Sequence, residues 1–512
     1  MTGGKPFYIT TPIYYVNDSP HLGHAYTSVA CDALARFMRL DGRRVLFLTG
    51  TDEHGQKVAK SARDAGVAPQ EFCDRVSQNF RAMTKLMDIS NDQFIRTTEP
   101  RHVTACQALW RELEKRGEIY LGRFKGWYSV RDEAFYEESE LVGGKAPTGA
   151  DVEWVEEENY FFKLSAWQDR LLAYYDAHPD FIAPKSRRNE VVSFVKGGLN
   201  DLSVSRTSFD WGVPVPGNSK HVMYVWLDAL TNYLTAVGYP DTGAADYKTF
   251  WPADIHVVGK DIVRFHCVYW PAFLMAAGLE VPKRVFAHGW WTVEGQKMSK
   301  SLGNFIAPQQ LVEQYGVDAV RYFMLRELPF GADGDFSRRA VVGRINGDLA
   351  NDFGNLAQRV LSMVQQYCGG IVPQSDRQPA DSALNHSVHI LLETLRNEFA
   401  EQAFSRALES IWQVVSEANR YVDEQAPWKL RKTDTVRMGT VLFWLAETLR
   451  HLAIYVWPFM PNAADKLLDQ LAIPREFKYR NFDALALYPL MPGTQLPKPE
   501  GIFPRYVDAT AT

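Results

Sequence analysis

FYITTPIYYVNDSPHLGHAYTSVACDALARFMRL, residues 7–40, runs in turn through a strand, a loop and a helix. FYIT at 7–10 is a short strand, and a polar loop follows from Pro12 to Pro20. From His21 to Leu40 the residues Ala25, Val29, Ala33, Leu34 and Phe37 recur on one side of a helix. Asp41-Gly42 ends that helix, and VLFL at 45–48 is a second strand of the buried type. Helical spacing resumes from Gln56 to about Met87. Strand, helix, strand, helix at this spacing predicts an α/β fold, a parallel sheet with helices on its faces.

The α/β pattern returns at DIHVVGKD (254–261), whose IHVV is a strand entering a loop. KRVFAHGWWTVEGQKMSKS (283–301) reads as a hairpin-like strand pair turning at Glu294-Gly295 and ending in a Lys/Ser loop. Between the two α/β parts, residues 118–165 carry Gly143-Gly144, Pro147, Gly149 and an acidic run at 156–158. They read as a β-rich inserted module, the run as a solvated face. From Arg344 onward the chain is helical: Ile345, Leu349, Phe353, Leu356, Val360 and Val364 keep a helical spacing. A Pro/Gly-rich joint at 369–379 precedes two amphipathic stretches, 384–422 and 436–457, which predict an antiparallel bundle. The Pro-rich tail, 488–512, is expected to pack loosely or fray.

Composition sets the outer limits. A chain of 512 residues with 46% hydrophobic and 23% charged residues is globular and multidomain. With 56 basic and 61 acidic residues the net charge is −5, so a nucleic-acid partner would need a local patch. The five cysteines form no C-x-x-C pair, which argues against a disulfide framework or a four-cysteine zinc site. No signal or transit peptide and no run of about 18 apolar residues is visible, so a cytoplasmic protein without a membrane span is expected.

Two motifs carry chemistry. His21-Leu22-Gly23-His24 opens a helix just after a strand and loop. Helix starts leave N–H groups free for anions, and Gly23 lets a nucleotide lie on the backbone. Taken alone, H-x-G-H reads equally as a surface histidine pair or as two metal ligands. Lys297-Met298-Ser299-Lys300-Ser301 puts two lysines in a Gly-flanked loop, suited to charge growing on a leaving pyrophosphate. Taken alone, it reads as a solvated basic loop.

Together, in this order and on these elements, the two motifs resemble those of the class I aminoacyl-tRNA synthetases. The resemblance implies a Rossmann-like nucleotide-binding core split by the β-rich insertion and followed by a C-terminal α-helical bundle. The insertion is too small for the editing domain of the valine, isoleucine and leucine enzymes. TTPIYYVNDSPHLGH, TGTDEHGQK, YVWLDALTNY, VGKDIVRFH and the Pro-Trp of DEQAPWKL are similar to the methionyl-tRNA synthetase family, over nearly the whole chain to about residue 460. Expected domains are catalytic half one at 1–115, the insertion at 116–222, catalytic half two at 223–289, a motif-bearing linker at 290–345 and an anticodon-binding domain at 346–512.

By that resemblance His21, His24, Lys297 and Lys300 are catalytic, and ATP is held by His21, Gly23, His24, Asp261 and Lys300. Ile13, Tyr15, Trp226, Ala229, Tyr233 and His266 would wall a methionine pocket, with Asp52 on the substrate ammonium. Aromatic walls suit a polarizable thioether, although Trp226 and Tyr233, spaced i, i+7, also read as helix-core aromatics. Asn355, Arg359 and Trp428 would read the anticodon; Asn351 shares their spacing, and a solvated face with a buried Trp is the other reading. Arg338, Arg339 and Arg344 are further candidates for tRNA phosphates.

Many relatives carry a zinc knuckle in the insertion. Here Ser129, Asp132, Ala146 and Gly149 stand at its ligand positions, so no protein-bound zinc is expected. The expected partners are methionine, ATP with Mg2+ and methionine tRNA, initiator and elongator alike. The chain ends too soon for a dimer-forming extension, and a monomer is expected. The rival readings are a catalytically silent tRNA-binding paralogue, a class I synthetase for another amino acid and a cofactor adenylyltransferase.

Overall fold

The structure is a computed structural model and describes residues 4–16, 19–129, 131, 134–293, 295–297 and 305–507. The first half of the core runs β1 (Pro6–Thr10), β2 (Tyr14–Tyr15), α1 (Leu22–Leu40), β3 (Arg44–Asp52), α2 (Gln56–Asp64), α3 (Pro69–Leu86), β4 (Gln93–Arg96) and α4 (Pro100–Lys115). Two elements differ from the sequence reading. The two-residue β2 interrupts the polar loop and pairs with β3. The helix expected from Gln56 to Met87 breaks in two, because Gly66 takes a left-handed φ of +69° and Pro69 starts a new helix.

The chain then makes a long antiparallel pair, β5 (Ile119–Ser129) with β7 (Glu153–Phe162), in register from Ile119↔Phe162 to Tyr128↔Glu153, with β6 (Ala134–Tyr136) beside β5. Next come α5 (Gln168–Ala177), β8 (Ile182–Ala183), α6 (Lys185–Lys196), β9 (Leu202–Ser203), and the pair β10 (Ser205–Arg206) and β11 (Val222–Met223). The short β8 lies beside the last strand of the core sheet rather than in the inserted sheet.

The second half follows as α7 (Val225–Thr235), α8 (Ala245–Phe250), β12 (Ile255–Gly259), a π-helical turn (Phe265–Tyr269), α9 (Trp270–Ala277) and β13 (Val285–His288). The core sheet has the order β2-β3-β1-β12-β13-β8, with β4 also on β3, and every pairing is parallel. β1 and β12, the leading strands of the two halves, are neighbours, Ile9 opposite Ile255. From there the order runs outward in both directions. That is a topological switch point, where open α/β sheets leave a crevice beyond the carboxyl ends of their strands.

The expected hairpin exists in part. β14 (Trp291–Val293) and β15 (Gln296–Lys297) pair antiparallel, with β16 (Gly334–Phe336) on the other side of β14. The earlier half of that stretch, Val285–His288, joins the core sheet instead. α10 (Pro308–Tyr315) and α11 (Val317–Arg326) lie between β15 and β16.

Helices fill the rest: α12 (Arg338–Arg344), a π-helical stretch (Ile345–Gly354), α13 (Asn355–Tyr367), α14 (Ser382–Ala400), α15 (Phe404–Gln425), α16 (Pro427–Thr433), α17 (Thr435–Val456), α18 (Pro461–Gln470) and α19 (Phe482–Leu487). Helix begins at Arg338, capped by the Ser337 hydroxyl, six residues before the expected start. The stretch 384–422 is two helices, turned at Gln402 with φ +53°. The tail does not fray over its described part. Leu490 and Leu496 are buried, Val372 donates to the carbonyl of Thr494, and Tyr506 is tied to Asn346. Among the described residues no helix is long and apolar enough to cross a membrane.

One buried cation joins these parts. Arg321 of α11 is fully buried and donates to Asp32 on α1, to the carbonyl of Met87, and to the carbonyls of Pro458 and Phe459 after α17. Every contact is a hydrogen bond to an oxygen, which is what lets a guanidinium sit in a core.

Candidate active site

A cleft of about 1400 Å³ opens at the carboxyl ends of β1 and β12. The first half lines it with Ile13, Tyr15, His21, Gly23, His24 and Asp52, the second with Trp226 and Asp261. Residues far apart in sequence therefore meet where the topology leaves a crevice.

His21 is the N-cap of α1. Its Nδ1 accepts the Gly23 N–H at 3.0 Å, and the Nδ1 of His24 accepts the His21 N–H at 3.2 Å. The two rings stack with centroids 3.8 Å apart. An imidazole that accepts at Nδ1 carries its proton on Nε2. Both rings are thereby set as Nε2–H donors beside the positive end of a 19-residue helix. Burial, and next to it the neighbouring His21, push the pKa of His24 well below the usual histidine value, so His24 stays neutral.

The expected methionine wall is only partly open to the cleft. Ile13, Tyr15, Asp52 and Trp226 face it, whereas Ala229, Tyr233 and His266 are 4%, 1% and 1% exposed and form the layer behind. There the hydroxyl of Tyr233 lies 2.7 Å from Nε2 of His266, whose Nδ1 lies 3.0 Å from the carbonyl of Ile262. A carbonyl only accepts, so Nδ1 holds the proton and Tyr233 donates to Nε2. Burial lowers the pKa of His266 to about 4, keeping this layer neutral. Trp226 stacks on Phe265, centroids 3.7 Å apart and planes within 7°.

Asp261 stands in the turn after β12, and its Oδ1 accepts from Trp290 Nε1 at 3.2 Å. A Cβ on Gly259 would come within 2.5 Å of that oxygen, so a larger residue there would push the Asp261 carboxylate aside. Lys297 is placed by its backbone in β15, opposite Thr292. Lys300 and residues 298–304 as a whole lie outside the described residues. The chain re-enters at Phe305, whose ring meets His21 edge-on at 6.1 Å, and the Ile306 carbonyl accepts the Leu22 N–H at 3.2 Å. The chain that follows the lysine motif thus returns beside the histidine motif.

The sequence reading did not single out Phe265, Trp290, His288, Thr27 or Lys57, which also line the cleft. Phe265 had a signal, since it sits in the same VGKDIVRFH run as Asp261 and His266. His288 had none: its partner, the Thr27 hydroxyl at 2.7 Å, is 261 residues away.

The helical part brings together the other expected set. Asn355 and Arg359 lie one turn apart on α13. Arg359 pairs with Asp423 at 2.7 Å, and its guanidinium lies 6.0 Å from the ring centre of Trp428, which is 38% exposed. Trp428 is therefore not a core residue; left-handed Ala426 (φ +45°) and Pro427 turn it outward. Asn351 instead bonds Arg505 of the tail, and Arg344 is committed to Glu327 and Asp348.

At the zinc-ligand positions of the insertion, Ser129 and Ala146 are buried and Gly149 is in a turn with φ +79°. Asp132 lies outside the described residues.

Residues 7–153 and 140–361 match the family described as tRNA synthetases class I (M), and residues 372–512 match the anticodon binding domain of methionyl tRNA ligase. The methionine–tRNA ligase of Mesorhizobium japonicum is 57% identical, with 98% of each chain covered. That of Brucella suis is 56% identical over 99% of each. The structure of Mycobacterium tuberculosis methionyl-tRNA synthetase in complex with methionyl-adenylate superposes with a TM-score of 0.95 at 54% identity, covering 98% of this chain and 100% of that one. The apo form of the Mycobacterium tuberculosis enzyme gives 0.89 at 50% identity, covering 99% of each.

Proposed function

The chain belongs to the methionyl-tRNA synthetase family, and from that premise we propose how its own residues carry the reaction. The reaction is ATP-dependent attachment of methionine to its tRNA through a methionyl-adenylate, releasing pyrophosphate and then AMP. The supporting observation is the stacked His21–His24 pair, fixed as two Nε2–H donors at a helix start inside the cleft.

In this reading the methionine carboxylate attacks the α-phosphate of ATP and pyrophosphate leaves. The Nε2–H groups of His21 and His24 donate to phosphate oxygens as charge shifts outward. Lys297 and Lys300 supply the cations on that side, from a segment whose exit packs on His21. Gly23 leaves room for the nucleotide, and Asp261 takes the ribose hydroxyls. Mg2+ arrives with the triphosphate, whose own oxygens hold it. A terminal ribose hydroxyl of the tRNA then attacks the mixed anhydride and AMP departs. Positioning and charge stabilisation do the work, with no covalent bond to the protein.

Asp52 holds the substrate ammonium. Ile13, Tyr15 and Trp226 contact the side chain, with Ala229 and the Tyr233–His266 pair backing them. Such a wall discriminates by shape, and a missing methylene is worth only about 1–3 kcal/mol. Asn355, Arg359 and Trp428 read the anticodon by stacking and base-edge hydrogen bonds. The insertion works without zinc, and the enzyme acts as a cytoplasmic monomer. The catalytic halves span 1–115 and 223–289, the insertion 116–222, the motif-bearing linker 290–345 and the anticodon-binding domain 346–512.

The experiment is ATP–pyrophosphate exchange with each of the twenty amino acids in turn. Exchange with methionine alone is expected. Exchange with another amino acid instead would discard the pocket assignment.

A further inference from the structure

Behind the cleft, α7 carries a carboxylate that the reaction scheme leaves unused. Asp228 is fully buried, two residues after Trp226 and one before Ala229. Its Oδ2 lies 2.6 Å from His54 Nδ1 and its Oδ1 lies 2.8 Å from His102 Nε2. His54 stands two residues beyond Asp52, in the loop that carries the ammonium-binding carboxylate. His102 comes from α4, and its other nitrogen meets the Thr235 hydroxyl at 3.0 Å, back on α7. Cys106 Sγ lies 3.2 Å from His102 Nε2, so His102, Cys106 and Asp228 form a cluster of metal-ligand types. The carboxylate–imidazole distances are those of direct hydrogen bonds, which bridge the elements without a metal.

Burial by itself would raise the Asp228 carboxyl. The two histidines outweigh it and hold the group below the usual carboxylate range. A buried carboxylate with both oxygens engaged is rigid, and truncating either partner leaves a charge unmatched.

We propose that Asp228 is a positioning residue for methionine: through His54 it sets the spacing between the Asp52 loop and helix α7, the two sides of the amino-acid pocket. His102 holds its second oxygen, so the carboxylate cannot turn away from His54. The nucleotide side of the cleft is built on α1 and on the turn after β12, whereas the side-chain hydrogen bonds of this bridge run among His54, Asp228, His102, Cys106 and Thr235. The inference rests on the methionine reading of the pocket. It predicts a selective effect, on methionine and not on ATP.

The test is steady-state ATP–pyrophosphate exchange with Asp228→Asn, His54→Leu and the double variant, each first checked for wild-type thermal unfolding behaviour. Asn keeps the shape of Asp, so the fold is expected to survive; if Asp228→Asn does not fold, His54→Leu carries the test. KM for methionine is expected to rise about tenfold in each single variant, as for loss of about 1.4 kcal/mol. The double variant should show no further rise, because all three break one bridge. KM for ATP should stay within about twofold. His54→Asn, whose amide nitrogen stands where Nδ1 does, should restore most of the methionine KM. A merely structural role would lower kcat and leave both KM values alone, and that result overturns the proposal. So does a KM for methionine that does not move, or one that moves in step with KM for ATP. A wild-type enzyme with no methionine-dependent exchange would instead remove the pocket reading, and this inference with it.

Discussion

His266 offers a quantitative check on the neutral layer behind the pocket. Its ring is buried, its Nδ1–H donates to the Ile262 carbonyl, and its Nε2 accepts a hydrogen bond from the Tyr233 hydroxyl. Burial brings its pKa down from 6.5 to about 4. As pH falls through about 6.5 the unfolded chain takes up a proton that the folded protein refuses until about pH 4. Stability is therefore full above about pH 6.5 and is lost progressively as pH falls toward 4. Linkage puts the loss between about pH 7.5 and pH 5.5 at about 1.3 kcal/mol from this one ring. His266→Asn keeps a donor near Nδ1 and does not titrate. The assay is the thermal midpoint of wild type and variant at both pH values. For a chain of 512 residues, the wild-type midpoint should drop by roughly 1–2 °C more than the variant's. Burial lowers His24, His288 and His451 as well, and these contribute equally to both proteins; His256 is lowered first by burial and second by His266, so the variant relieves only that smaller part. Equal pH slopes in the two proteins would refute the reasoning.

Three further outcomes follow from the same geometry. Trp428→Ala removes an exposed stacking face, and at about 1–3 kcal/mol per stacked base aminoacylation at limiting tRNA should fall about 5–150-fold; an unchanged rate would return Trp428 to a packing role. Metal analysis of protein purified without chelator should find no stoichiometric zinc, and EDTA should leave the thermal midpoint where it was; one zinc per chain would contradict the zinc-free insertion. Arg321→Met strands the carbonyls of Met87, Pro458 and Phe459, and at about 1–3 kcal/mol for each buried acceptor the unfolding midpoint should fall by roughly 3–8 °C, whereas a fall under about 2 °C would mean water replaces the guanidinium.

Elements with a long apolar pattern were readable from the chain alone. β1, the loop and α1 follow from residues 7–40, and IHVV marked β12. Two-residue strands carry no period, so β2 and β8 were invisible. The π-helical stretch at 345–354 keeps an apolar spacing close to that of an α-helix, and the turn at Gln402 has neither Gly nor Pro to announce it. The tail looked loose because Pro-rich composition reports no partner, yet irregularly placed Leu490 and Leu496 are buried in the core.

The site shows the same division. Motif residues at strand ends and helix starts could be located because their chemistry is local. The bridge of His54, Asp228 and His102 could not, since its partners are 174 and 126 residues apart and only the folded sheet brings them together. Nor could spacing say that Tyr233 and His266 would close on each other behind Trp226.

The central claim is that the two motifs act together to form the adenylate. Its most direct test is single-turnover formation of methionyl-adenylate by Lys300→Ala and His24→Ala, with tRNA binding measured alongside. The account expects adenylate formation to fall by about a hundredfold or more in each, as for loss of one transition-state hydrogen-bond donor, while tRNA affinity holds. Adenylate formed at the wild-type rate by either variant would contradict it.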